Sequence, residues 1–330
     1  MFRFILGALL SAILIAAPAR AEPTDDQVRA AAQWSSNLQE ALLALTAGIE
    51  QMNEYSVVMD AYAQGDTSLD EAKQASTAVT AEMHEGIDAY VEALEALPPH
   101  PMRREPIGKA SGEIRIQLIA QADDLRAFVN RLDTLMREAL SGDTSKFDQL
   151  AGEIFRGGAL LIGTDIAILQ TQVAALDEAS PLRSLNLAQI AEMQFLQEVM
   201  YFEAAYRYGA GPGVASGDLD AAGRYLAAAR AEIANGRRNV ETMRAALKAE
   251  MSSLAAPSPM YDRLFPMLDT FAGDWAIFED TLDQADDLLK LMRADAPETE
   301  EAFGAYLDAS GAFSVSQLNS QVARANLLAN

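Results

Sequence analysis

No cysteine occurs anywhere in the chain. That excludes disulfide staples, thiolate metal sites, covalent haem attachment, thiol catalysis and a lipoprotein anchor together, so the fold must be held by burial. Histidine is nearly absent too. The two present, His84 and His100, are accompanied by no GxSxG turn, which leaves nucleophilic hydrolysis without a base to activate its nucleophile. Ala81 and Leu97 stand three residues before them, so the Glu-x-x-His pairs of a carboxylate-bridged metal centre are missing. Alternating Val/Ile/Thr runs, the mark of half-buried strands, are also lacking.

Positive charge is scarce: 25 basic residues face 48 acidic ones, a net charge of −23. Such a surface repels nucleic acid, anionic lipid and other acidic molecules and leaves basic partners and loosely held cations. Two weak motifs fail on inspection. In DLDAAG (218–223) Ala222 and Ala229 stand where a calcium loop needs oxygen ligands. The glycine-rich GAGPGVASGD (209–218) lacks the spacing of a dinucleotide loop and follows a helix pattern, not a strand.

The chain opens MFRFILGALLSAILIAAPARA, with Arg3, an apolar run from Phe4 to Ala17, and Ala19-Arg20-Ala21. This is the pattern of a Sec-type signal peptide over residues 1–21, too short in its apolar part to span a bilayer comfortably. The expectation is an exported protein that begins at Glu22, placed in a bacterial periplasm or secreted, with no transmembrane segment after cleavage. Losing the leader removes two arginines and no acid, for a net charge of about −25.

What the sequence has in abundance is helical periodicity. Leu264, Leu268, Phe271, Trp275, Phe278, Leu282, Ala285, Leu289 and Met292 keep a 4-3 spacing. So do Leu118, Ala122, Leu125, Val129, Leu132, Met136 and Ala139. That repeat holds one stripe against a neighbouring helix for many turns. Thr24/Gln27 and Ser68/Glu71 read as capping boxes, and Ser180-Pro181 as a cap followed by proline at the first helical position. Breaks near 65–68, 98–108, 141–145, 179–181, 209–217, 254–258 and 294–298 divide the chain into eight long helices.

The two halves resemble each other. At an offset of 150, Leu118, Ala122, Asp124, Phe128, Leu132 and Asp133 meet identical residues from Leu268 to Asp283. Leu69, Asp70, Ala72, Ala78, Ala81, Glu82 and Gly86 do the same from Leu219 to Gly236. LQTQVA (169–174) meets LNSQVA (318–323). With Leu38, Leu43, Ala44 and Ala47 meeting Leu182, Leu187, Ala188 and Ala191 at an offset of 144, four helices align in order, which predicts an all-α protein of two tandem four-helix up-down bundle units, 22–179 and 180–330. A single eight-helix array with common patterning is the alternative.

Three places merit attention as sites. His100, Arg103, Arg104 and Lys109 share one interhelix loop, and Arg237, Arg238, Arg244 and Lys248 follow Gly236 on one helix. Each cluster reads as an anion or acidic-partner contact, or more simply as basic residues paired with surplus acids. The third is RGGALLIGTDIAILQTQ (156–172), which sets Gly157, Gly158, Gly163 and Asp165 in the most apolar run of the mature chain. The glycines admit a close neighbour at a cost of about 1 kcal/mol each. Asp165 either caps a helix break at Gly163, or is buried and paired or protonated, or lines a ligand pocket. The break is favoured, with a matching bend at Asp308-Ala309-Ser310-Gly311. No cofactor is expected. The functional expectation is a non-enzymatic binding or adaptor module for an unknown protein or small molecule. The alternatives are a metal- or haem-binding bundle enzyme and a periplasmic small-molecule sensor.

Overall fold

The computed structural model describes residues 25–50, 52–141, 146–206, 208, 217–253 and 260–329. The expected leader, the Thr24 cap and most of the glycine-rich connection lie outside the described residues. Among the described residues there is no strand, and nine helices follow one another: α1 Asp25–Glu50, α2 Met52–Gln64, α3 Leu69–Ala96, α4 Pro106–Ser141, α5 Phe147–Ala175, α6 Pro181–Tyr206, α7 Leu219–Ser253, α8 Met260–Arg293 and α9 Thr299–Ala329. The first expected helix is described as two parts on either side of position 51. The other seven fall between the expected breaks.

Local chemistry sets the helix starts. Ser68 Oγ accepts from Glu71 N at 3.3 Å while Glu71 Oε2 accepts from Ser68 N at 2.9 Å, closing the expected capping box. Pro181 opens α6 directly after Ser180. Asp218 Oδ1 accepts from the Asp220 and Ala221 amides at the start of α7, a cap at the last residue of the glycine-rich connection.

Consecutive helices pack antiparallel. After α1 meets α3, contacts run α3 to α4, α4 to α5, α5 to α6, α6 to α7, α7 to α8 and α8 to α9, and α9 returns to α1. Both 4-3 stripes are buried: Leu118, Ala122, Leu125, Val129, Leu132 and Met136 in one cluster, Leu268, Phe271, Trp275, Phe278, Leu282, Ala285, Leu289 and Met292 in another. Helix α5 feeds both clusters, with Ile154, Leu161 and Ile168 on one face and Ala159, Ile162, Ile166 and Leu169 on the other. A helix buried on two faces must be apolar nearly all round, which is why this run is the most apolar.

Three expectations are corrected, two of them by this same helix. It does not break at Gly163: α5 runs unbroken through 163–165, so Asp165 caps nothing. Tertiary packing explains the glycines instead. A Cβ on Gly158 would lie 2.5 Å from Met200 Cε, one on Gly163 2.9 Å from Gln197 Nε2, and one on Gly157 3.1 Å from the Phe128 ring. The bend expected at 308–311 is likewise absent, α9 being continuous there. By length and composition α5 is also apolar enough to cross a membrane, contrary to the expectation that no segment after the leader is; half of its most apolar window is buried in the fold.

Candidate functional site

The longest stretch without a charged residue after the leader is ASGAFSVSQLNSQVA, 309–323, and it forms the middle of α9. Phe313 packs on Phe278 of α8 with ring centroids 4.5 Å apart, which turns Ala312, Val315, Asn319 and Ala323 outward, all exposed. With Thr270 of α8 and the small Gly311, Ser316 and Ser320, they line an open cleft of about 680 Å³. The adjoining turn of α8 carries Ala272, Gly273, Ala276 and Ile277, all exposed and uncharged. On a strongly acidic chain these lining and adjoining residues carry no charge.

Beside the cleft lies a buried ion pair. Arg324, 6 % exposed, donates from Nη1 to Asp274 Oδ2 at 2.8 Å and to the cleft residue Thr270 at 3.0 Å. Ser320 donates to Asp274 Oδ1 at 2.6 Å, and the guanidinium stacks 4.3 Å over the Phe271 ring. Burial, opposed by Arg324, still lifts the Asp274 carboxyl above its usual value. Arg324 Nη2 is enclosed with no partner, so the pair keeps one unspent donor next to the cleft.

Behind α9 stands α6, buried on most of its surface, and polar groups fix their register. Gln189 and Gln317 exchange two hydrogen bonds, at 2.6 and 3.1 Å. Glu192 accepts from Tyr306 and Ser310. Toward α5, Asn186 donates to Gln172 at 2.7 Å and Gln197 to the Ala159 carbonyl at 2.8 Å.

The residues singled out from sequence are not brought together. Asp165 is fully buried, and Gln121 Nε2 donates to its Oδ1 at 2.6 Å while Oδ2 has no partner. Burial raises its carboxyl well above the ordinary value, the amide only partly opposing; the paired-ion reading fails because the partner is neutral. His100 is buried, edge-on to Trp34 at 4.8 Å, and its Nδ1 accepts from Met102 N. Burial brings its pKa down to about 4, so at neutral pH it adds no positive charge to the loop. Arg103 and Arg104 remain exposed on the turn before α4. Arg237 pairs with Glu279 of α8 at 2.6 Å, and Arg238 donates to Asn235 one turn earlier. Arg230, Arg237 and Arg244, seven residues apart on α7, meet Asp283 and Asp286, Glu279, and Asp269 on α8. Within that basic cluster, Arg237 and Arg244 are thus paired with acids of α8.

Among the described residues no group of three or more His, Asp or Glu is placed to hold a metal ion. No family model matches the chain, and no curated protein or solved structure matches it either.

Proposed function

We propose that the chain is an exported, non-enzymatic binding or adaptor module, and that the α8–α9 cleft is where it meets a protein partner. The neutral cleft carries this reading: on a chain with a net charge of −23 it presents small uncharged side chains at helical spacing. The occupant that fits is an uncharged helical segment of another exported protein, because small residues on a helix let a second backbone approach closely and no charge has to be desolvated. The rest of the molecule is its scaffold, two four-helix units that arose by duplication, residues 22–179 and 180–330. Support for that comes from the packing order, in which the α9–α1 contact takes the place of α5–α6 when one half is laid on the other.

The test is affinity capture from native envelope extracts with the unaltered protein, Val315→Glu and Leu160→Glu, the last altering an exposed residue of α5. A partner retained by Leu160→Glu and lost by Val315→Glu supports the cleft; one lost or kept equally by both overturns it. Metal or a visible chromophore in protein purified from its native host would favour a metal- or haem-dependent enzyme instead.

A further inference from the structure

Glu192 ties α6 to the helix that carries the cleft. Its Oε1 accepts from Tyr306 Oη and, at 3.4 Å, from Ser310 Oγ, and the side chain is 3 % exposed. The cleft lining begins one residue further on, at Gly311. The neighbouring contacts in this seam are uncharged: Phe195 meets the Tyr306 ring edge-on at 5.4 Å, and Gln189 bonds to Gln317. Glu192 is therefore the acid in an otherwise neutral seam. The titratable group facing it is Tyr306 of α9, with Ser310 beside it, and no charged side chain among the described residues acts on it.

We propose that Glu192 is a proton-operated fastener of α9, holding the cleft-bearing helix most firmly while the carboxyl is protonated and loosening it on ionisation. The proposal rests on the reading of the cleft as the docking surface and adds a regulation to it. Burial is the larger influence on this carboxyl and lifts its pKa from 4.5 to about 7, the two hydroxyl donors pulling the other way. When α9 lifts away, the carboxyl meets water and its pKa returns toward 4.5. Between those values the closed form holds a proton that the open form has lost, so opening grows by up to about tenfold per pH unit. Above about 7 both forms are ionised and the effect levels off.

The experiment is amide hydrogen exchange of the full chain, corrected for intrinsic rate, followed from pH 4.5 to above 7. The proposal expects protection across Tyr306–Gln317 to fall through this range in the unaltered protein and to stay flat in Glu192→Gln. Tyr306→Phe removes a donor that favours the ionised carboxyl, so it should move the levelling-off to higher pH; this variant carries the test if Glu192→Gln does not fold. A flat profile in the unaltered protein, an equal slope in Glu192→Gln, or the same slope in the Leu226–Ile233 segment of α7 would overturn the fastener. None of these results depends on capture of a partner, so loss of the docking reading and loss of the fastener remain separate outcomes.

Discussion

Arg324 and Asp274 form an ion pair that is buried on both sides, 2.8 Å apart, with the Phe271 ring closing one face of the guanidinium. Taking one member of such a pair away leaves the other charge in a low-dielectric site, which costs about 3–5 kcal/mol. Arg324→Met should therefore be strongly destabilising in urea melts. The double variant Arg324→Met with Asp274→Leu should recover most of the loss, because apolar residues of similar volume replace a buried pair at little net cost. A single variant that melts like the unaltered protein would show that the pair carries no stability.

Asp165 has a neutral amide as its hydrogen-bond partner and burial as the dominant influence, so the folded protein favours its protonated form. Protonated, the carboxyl offers Oδ2–H as a donor, and Gln121 Oε1 and Tyr90 Oη, both enclosed and unpartnered, are acceptors in the same core. Asp165→Asn keeps both a donor and an acceptor at this place. It should cost less than about 1 kcal/mol at mildly acidic pH. The folded pKa is raised, so the contribution of Asp165 is full below the ordinary carboxyl value of 3.8 and is lost as pH rises through the elevated one. Asp165→Asn should thus gain on the unaltered protein as pH increases, and melts at several pH values would show the two curves diverging. Curves that stay parallel would contradict a protonated Asp165.

Helix positions, most breaks and both hydrophobic stripes were legible because each depends on residues three or four apart. The straightness of α5 was not. Gly163 and Thr164 weaken a helix locally, and only the arrival of Gln197 and Met200 from α6 shows what the missing side chains make room for. The site was harder still. Arg324 looks like any other basic residue in the sequence, and its burial is decided by Asp274, fifty positions away. The cleft did leave a trace, the uncharged run 309–323 on a chain otherwise dense in acids. Absence of charge was a better guide there than the clusters of arginine, whose heptad spacing on α7 instead matched the acids of α8.

Two glycines of the second half should respond to alanine in opposite directions. Gly236 faces the buried indole of Trp275, and a Cβ there would come 2.5 Å from Cζ2, a rigid atom with nowhere to retreat. Gly236→Ala should destabilise by about 1–3 kcal/mol through overpacking. Gly273 is exposed, and a Cβ there would meet nothing within 4 Å. Gly273→Ala should stabilise by up to about 1 kcal/mol, the helix preference of alanine over glycine. Thermal melts of the two variants decide it; equal shifts would mean that Trp275 does not hold Gly236.

Separate fragments 22–179 and 180–330 test how far each half stands alone. Each keeps its own 4-3 stripe and should be strongly helical by circular dichroism. Each also loses neighbours at two seams. Cutting before Ser180 parts α5 from α6, breaking Asn186 to Gln172 and Gln197 to Ala159 and stripping the Ala159, Ile162, Ile166 and Leu169 face of α5. It also parts α9 from α1. Apolar faces of that extent seek cover at about 25 cal/mol per Å². The fragments should therefore melt below the intact chain, associate one-to-one on mixing in size-exclusion chromatography, and regain cooperativity close to that of the whole. Fragments that stay monomeric on mixing, each melting like the intact protein, would mean that the two seams add nothing and that the halves fold as independent units.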